Sequence, residues 1–178
     1  MTKTAFLITA RLKSKRLPQK ILLEVKDKPL IVHSIDYAKT SNLISDIYVS
    51  TDDLDIAKIA TENGTIVIDR PSSISGDTEP TESALLHTLE NIADKPDIII
   101  LLQPTSPLRP RNSLSKIITH FEKNNFDSLL TISPTHRFFW EINNDIAHPK
   151  YNYLKRPRRQ DMTDDNIKYI ENGSNVFI

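Results

Sequence analysis

The sequence AFLITARLKSKRLPQK, from Ala5 to Lys20, contains the patterns from which the fold and a binding site are first predicted. Its first four residues, Ala5–Ile8, form a short apolar run that is typical of a buried strand. No carboxylate occurs before Glu24, yet the ten residues 11–20 that follow shortly after the run contain five cations: Arg11, Lys13, Lys15, Arg16 and Lys20. Because open α/β sheets bind anionic ligands at the carboxyl ends of their strands, this pattern predicts an anion site directly after the first strand.

The alternative is a solvated basic surface, which is what most runs of lysine and arginine form. Three features favour the anion site over that alternative. The run follows a strand directly, its cations are irregularly spaced rather than on one helix face, and Pro18 stiffens its exit.

Composition narrows the class of protein. The 178 residues carry 23 Lys+Arg against 23 Asp+Glu, 38% are hydrophobic, and there is no cysteine. This is typical of one soluble domain without disulfides or a thiolate metal site, and it favours a cytoplasmic protein. No apolar run approaches the length of a membrane span, and zero net charge disfavours general nucleic-acid binding. We therefore expect neither membrane nor nucleic acid as a partner.

Strand and helix patterns alternate along the chain, which predicts an α/β fold with a doubly wound, mostly parallel sheet. The uninterrupted apolar run Ile98–Leu102 is predicted to be the central strand, since strands buried on both faces read this way. Gly64 is predicted to end a helix in the left-handed conformation. The other predicted strands are Ala5–Ile8, Ile47–Val49, Thr65–Ile68, Ser128–Ile132 and Val176–Ile178, and the predicted helices span residues 29–40, 54–63, 81–93 and 113–123.

The pattern changes near residue 134. We interpret residues 1–133 as a nucleotide-binding core, 134–168 as a small excursion from the sheet that is either a lid or a subunit contact, and 169–178 as a return strand. The excursion contains a second basic run, Lys155–Arg159. Its aromatic cluster, Phe138 to Trp140, has no place in the sheet pattern and favours a homodimer.

Several common phosphate and metal motifs are excluded. Only three glycines occur, at Gly64, Gly76 and Gly173, so no glycine-rich dinucleotide turn, Walker loop or nucleophile elbow can form. The five histidines lack a metal-binding spacing. A phosphate site would therefore use side-chain cations. Asp52 and Asp53 could bind a metal, but at a strand-to-helix junction we favour helix capping for the pair, and no metal ligand is assigned.

A series of motifs extends over nearly the whole length of the chain. The motifs are ARLKSKRLPQK at residues 10–20, KPLIVHSIDYAK at 28–39, VSTDD at 49–53, RP and GDT within 70–78, LLQPTSPLR at 101–109, RPRRQD at 156–161 and ENGS at 171–174. In these motifs and in their order the chain resembles the acylneuraminate cytidylyltransferases, the enzymes that make CMP-sialic acid and related CMP-nonulosonates. LLQPTSPLR together with the N-terminal basic motif is the most specific part of the resemblance.

The resemblance implies a Rossmann-like fold of the nucleotide-diphospho-sugar transferase type. It also implies an enzyme in which the anomeric hydroxyl of a 2-keto sugar acid attacks the α-phosphorus of CTP and releases pyrophosphate, with Mg²⁺ as cofactor. Carried over by position, Arg11 and Lys20 are the catalytic candidates that engage the triphosphate. Lys20 is expected to stabilise the charge of the leaving group.

The same resemblance assigns the rest of the site. Arg70 and Thr81 line the nucleotide site, and Gln103 lies where nucleotide and sugar meet. Arg158 either meets the sugar acid or forms a salt bridge at a subunit contact, and both interpretations stay open.

Three differences from the family pattern lead to further expectations. Leu12 stands where a small residue is usual and is expected to occupy space beside the base, and Ile21 replaces an asparagine. The family's metal-binding D-x-D segment would lie beyond Ile178, so we expect nucleotide binding with low turnover. The alternatives are a cytidylyltransferase for the eight-carbon acid Kdo and a non-catalytic nucleotide-binding domain.

Overall fold

The computed structural model describes residues 2–12, 17–41, 43, 46–162, 167–171 and 176–178. The predictions made for Lys13, Lys15, Arg16 and Gly173 lie outside the described residues. The strands and helices, in chain order, are β1 (Thr4–Thr9), β2 (Glu24–Val25), β3 (Lys28–Pro29), α1 (Leu30–Ala38), β4 (Asp46–Thr51), α2 (Leu54–Glu62), β5 (Ile66–Asp69), α3 (Thr81–Glu90), β6 (Ile98–Leu101), α4 (Ser113–Lys123), β7 (Ile132–Thr135), β8 (Trp140–Asn143), β9 (Ile146–Pro149) and β10 (Lys168–Glu171).

Four parallel strands form the main sheet in the order β5, β4, β1, β6. Their side chains alternate between two buried clusters. Phe6 and Ile8 face a cluster that includes α1, α2 and α4, whereas Ala5 and Leu7 face a smaller cluster that Leu85 of α3 joins. Helices therefore cover both faces of the sheet, which confirms the predicted α/β class and doubly wound sheet.

The predicted place of β6 is wrong. The inner strands are β4 and β1, and β6 is one of the two outer parallel strands. Its far side is bridged in the antiparallel sense by Phe177, whose backbone exchanges hydrogen bonds with Leu101. This pairing, together with helix packing, buries Leu101 and Leu102 as fully as a central strand would be buried.

The predicted strand Ser128–Ile132 also needs correction. Leu130 contributes only an isolated antiparallel bridge to Phe177, and the regular strand β7 begins at Ile132 and pairs with β10. The helix predictions fare better, since each of α1 to α4 lies within its predicted span. Gly64 has a φ of 67°, as predicted for the residue that ends α2.

The chain divides into two compact units, residues 1–131 with 173–178 and residues 132–172. The first unit holds the parallel sheet. The second contains two antiparallel pairs, β7 with β10 and β8 with β9. The β8–β9 turn uses Asn144 and Asp145, both at positive φ, which is the geometry of a tight two-residue hairpin. Across the part of the chain that the structure describes, no helix is both long enough and apolar enough to cross a bilayer.

Candidate active site

Polar side chains gather at the carboxyl edge of the main sheet, on the face covered by α3. The strand registers place Thr9 opposite Ser50 and Ser50 opposite Ile68. Because side chains alternate along a strand, residues two positions further on continue the same face. Those residues are Arg11, Asp52, Arg70 and, after β6, Gln103. A buried sheet thus ends in a polar edge that carries two arginines.

Two cavities of about 130 and 200 Å³ open at this edge. They adjoin, because Thr9, Arg11 and Thr81 line both. Arg70 lines the smaller cavity, and Lys20 and Gln103 line the larger one. The structure therefore brings together all five residues that the resemblance assigns to the nucleotide. Sequence reasoning missed Thr9, although its place as the last residue of β1 on this face would have indicated it.

Arg70 is a buried arginine, 6% exposed, held from three sides. Its Nε donates to Ser75 Oγ at 3.0 Å, and its Nη2 donates to the Ala10 carbonyl at 3.0 Å and lies 3.5 Å from Asp52 Oδ1. Burial lowers the pKa of Arg70, the Asp52 carboxylate offsets part of that effect, and the nearby charge of Arg11 adds to it. A fixed guanidinium at a cavity wall can recognise an oxygen-bearing ligand without reorganising.

Asp52 and Asp53 have different roles, which corrects the assignment of both to capping. Asp53 is the N-cap of α2, and its Oδ1 accepts from the backbone N–H groups of Asp55 and Ile56 at 3.0 Å. Asp52 faces the other way, on the cavity side of the sheet, and its carboxylate contacts Arg70. Its contact with Arg70 was not predicted, although the alternation of β4 places it on that face.

Arg11 is held by the loop that precedes α3. Its Nη1 donates to the Gly76 carbonyl at 2.5 Å and lies 3.4 Å from Asp77 Oδ1. Its side chain remains 39% exposed. A triphosphate oxygen could therefore reach the guanidinium alongside, or in exchange for, these two loop acceptors.

Lys20 begins a short 3₁₀ turn, Lys20–Leu22, after Gln19 in the left-handed conformation. Ile21 anchors the turn because it is buried in the main core and also lines the larger cavity. Within the described ranges, no acceptor or carboxylate pairs with the Lys20 ammonium. Such a charge at a cavity wall is available to a ligand phosphate.

Leu12 does not occupy the place expected for it. Its side chain packs against the main core cluster and is absent from the described linings of both cavities. The alternation along β1 explains this, because Leu12 falls on the same face as Phe6 and Ile8. The side chain therefore leaves the space beside Arg11 open.

Thr81 is the first residue of α3, whose amino end meets both cavities. A helix amino end carries partial positive charge and unpaired N–H groups, so it adds to the field of the arginines. Gln103 follows β6 and also lines the larger cavity, with the buried Pro104 next to it. Among the described residues, the linings of the two cavities thus present three cations, the amino end of a helix, one amide and the carboxylate of Glu79. Because the cations outnumber the carboxylate, the set suits a phosphorylated ligand.

Arg158 belongs to the second unit and is largely exposed. Its Nε and Nη2 donate to Asp161 Oδ2 and Oδ1 at 2.6 and 3.0 Å. The salt bridge therefore forms within the chain, between Arg158 and Asp161, which are three positions apart.

The described residues contain no preformed cluster of metal ligands. Among them, no group of three or more histidine, aspartate or glutamate side chains lies close enough to hold a metal ion. Asp52 and Asp77 contact Arg70 and Arg11, two of the arginines that line the cavities.

Comparisons with known proteins agree on one family. The sequence pattern described as Cytidylyltransferase matches residues 5–175. The chain is 32% identical to N-acylneuraminate cytidylyltransferase A of Danio rerio over 96% of its own length and 40% of the relative's. It is 31% identical to 3-deoxy-manno-octulosonate cytidylyltransferase of Chloroherpeton thalassium over 68% of its length and 47% of the relative's. The chain thus spans less than half the length of either relative.

The fold has close counterparts among solved structures. CMP:2-keto-3-deoxy-manno-octonic acid synthetase complexed with CTP superposes with a TM-score of 0.71 at 20% identity, covering 99% of this chain and 73% of the other. At that identity the likeness concerns the fold alone.

Proposed function

Because the chain belongs to the cytidylyltransferase family, we propose that it binds CTP and transfers the cytidylyl group to a 2-keto sugar acid. One observation carries this proposal: Arg11, Lys20, Arg70, Thr81 and Gln103 line two adjoining cavities at the carboxyl edge of a parallel sheet. Open α/β sheets bind nucleotides at this edge.

In the proposed reaction the anomeric hydroxyl oxygen of the sugar acid attacks the α-phosphorus of CTP. The bond to the oxygen that bridges the α- and β-phosphates breaks, pyrophosphate leaves, and the hydroxyl proton is released. Lys20 and Arg11 hold the β- and γ-phosphates and offset the charge that develops on the leaving group. The ammonium of Lys20, which pairs with no described residue, and the exposed part of Arg11 support these roles.

The smaller cavity is the proposed site of the base. Arg70 has fixed donors there, and Thr81 places a hydroxyl and the amino end of α3 beside it. Gln103 in the larger cavity is proposed to meet both nucleotide and sugar. A rigid donor set of this kind discriminates bases by leaving polar groups unpaired when the wrong base binds.

Calorimetric titration of the chain with CTP, UTP and ATP tests nucleotide binding. We expect CTP to bind at least about tenfold more tightly than either other nucleotide, since one mismatched polar group in a closed site costs about that much or more. ATP binding as tight as CTP binding would remove the support for a cytidylyltransferase.

The acceptor is proposed to be a nonulosonic acid, supported by the likeness to an N-acylneuraminate cytidylyltransferase over 96% of the chain. Kdo is the second candidate, supported by the octulosonate relative. A pyrophosphate-release assay with CTP, Mg²⁺ and sialic, legionaminic, pseudaminic and octulosonic acids distinguishes them. Preference for Kdo over all three nine-carbon acids would reverse the order of the candidates.

The exposed apolar residues of the second unit support the proposal of a homodimer. Phe138 packs on Tyr151 with ring centroids 4.5 Å apart, while Trp140 is 52% exposed on the β8 strand of a hairpin that also exposes Ile142 and Ile146. Burial of such residues between two copies would remove apolar surface from water. Light scattering at micromolar concentration should give twice the chain mass, and Ile142→Lys should shift it toward one. A monomeric wild-type chain would favour a lid instead.

Nucleotide binding without turnover is the competing function, supported by the pairing of Asp52 and Asp77, two carboxylates close to the cavity linings, with Arg70 and Arg11. The Mg²⁺ requirement remains a prediction from the resemblance. CTP affinity measured with EDTA should differ from that measured with Mg²⁺ by less than about threefold if side-chain cations hold the phosphates, since metal-bound phosphates would depend on the ion far more strongly. Pyrophosphate release by the chain would exclude the competing function.

A further inference from the structure

The guanidinium of Arg109 joins the loop after β6 to helix α1. Its Nη2 donates to the Gln103 carbonyl at 2.7 Å, and its Nη1 donates to Ser34 Oγ of α1 at 3.0 Å. The same group lies over the ring of Tyr37, 5.1 Å from the centroid. Burial lowers the pKa of Arg109 to about 10, and interaction with Tyr37 offsets part of that effect. The group still carries its charge at neutral pH.

The partners of Arg109 are themselves fixed. Ser34 is fully buried in α1, and the Tyr37 hydroxyl shares a 2.7 Å hydrogen bond with Ser113, the first residue of α4. Arg109 therefore rests on two helices of the main unit. The loop after β6, which Arg109 joins to these helices, is therefore held rigidly.

That loop carries one wall of the larger cavity, formed by Gln103, Pro104 and Thr105. The Gln103 carbonyl also accepts from the Ser106 N–H at 3.2 Å. One oxygen therefore accepts hydrogen bonds both from the backbone of the turn and from the forked guanidinium of Arg109, called the fork below. Loss of the fork would free the backbone of Gln103, the residue that carries the amide at the cavity wall.

We propose that Arg109 is a positioning residue of the site: it fixes the backbone of Gln103 so that the amide side chain and the neighbouring wall meet the nucleotide. It does this through Gln103 and needs no contact with the ligand. The proposal rests on the proposed function for the identity of that ligand, and on the described contacts alone for the fixing of the loop.

Lysine cannot replace Arg109 in this role. The fork donates in two directions at once, and its plane lies on an aromatic ring, whereas an ammonium is a compact point charge on a flexible stem. Arg109→Lys therefore keeps the charge and removes the geometry. Arg111→Lys is the matched control, since Arg111 is an exposed arginine in the same loop.

Amide hydrogen exchange without ligand tests the fixing of the loop. Arg109→Lys should increase exchange at Ser106 by about tenfold or more, because its acceptor carbonyl is released, whereas Arg111→Lys should leave it within twofold. Ser34→Ala, which removes one acceptor only, should give a smaller increase and serves if Arg109→Lys fails to fold. Unchanged exchange in both Arg109→Lys and Ser34→Ala would overturn the proposal.

A double-mutant cycle tests the link to the site. Arg109→Lys should weaken CTP binding about tenfold in the wild-type background and less than twofold in Gln103→Ala, since the residue acts through Gln103. An equal loss in both backgrounds means a merely structural role and overturns the proposal. If the wild-type chain does not bind CTP while Arg109→Lys still raises Ser106 exchange, the loop fixing is supported and the proposed function is the part that fails.

Discussion

The two basic stretches of the chain, residues 11–20 and 155–159, have similar composition and different surroundings. Arg11 and Lys20 of the first stretch line cavities at the edge of a parallel sheet, next to the buried Arg70. In the second stretch, Arg158 pairs with Asp161 a turn away, and Arg156 lies over the Phe138 ring at 4.4 Å. The count of cations therefore does not distinguish the stretches. What differs is whether other elements of the fold converge on them.

Convergence follows from parallel pairing. The carboxyl ends of β1, β4, β5 and β6 meet at one edge, so residues that follow β1, β5 and β6 line two adjoining cavities there. The β8–β9 hairpin of the second unit, by contrast, pairs residues that are near neighbours in the sequence. A ligand site with several independent donors is therefore expected in the first unit.

The largest effect should come from Arg70, the deepest of the converging cations. Arg70→Met leaves the Ala10 carbonyl and the Asp52 carboxylate without their donor, which should cost about 2 kcal/mol of stability and more than about a hundredfold in CTP affinity. Arg159→Met in the exposed second stretch should change stability by less than about 0.5 kcal/mol. Thermal unfolding and calorimetry measure both variants. If the two behaved alike, the contrast between the stretches would fail.

The sequence alone predicts much of this site. The apolar run after Thr4, the capping Asp53 and the glycine that ends α2 are local signals, and the structure confirms them. That Arg11, Arg70 and Gln103 meet at one edge follows from parallel strands ending together. The binding roles of these residues stay predictions.

The remaining features depend on contacts that periodicity does not encode. The apolar run at β6 predicts a central strand because such runs are buried on both faces. The bridge to Phe177 and the packing of helices bury this outer strand equally well. The separate tasks of Asp52 and Asp53 depend on which way each side chain leaves the strand. The fork of Arg109 depends on Ser34 and Tyr37, more than 70 residues earlier in the chain.

A smaller effect is expected at Lys20. Lys20→Ala removes one charge-assisted contact with the triphosphate, so CTP affinity should fall about 10- to 100-fold with little change in stability. Lys155→Ala, from the second stretch, should stay within about twofold. Calorimetry should compare the two variants at one ionic strength, because salt screens the attraction between exposed cations and the triphosphate. Equal losses would indicate attraction by overall charge instead of a built site.

The smallest effect on CTP binding is expected at Arg158, which tests whether the second stretch has any ligand role. Its side chain is 72% exposed, and a surface pair with Asp161 is worth about 0–1 kcal/mol, so Arg158→Ala should leave stability and CTP affinity nearly unchanged. If Arg158 meets the sugar acid, the acid's carboxylate must replace that of Asp161. Arg158→Ala should then raise KM for the sugar acid by about tenfold, and Asp161→Asn, which frees the guanidinium, should lower it by a smaller factor. Opposite shifts in the two variants are expected only for a residue that exchanges one carboxylate for another. No change in KM in either variant would leave the pair as a local salt bridge and restrict ligand binding to the first stretch.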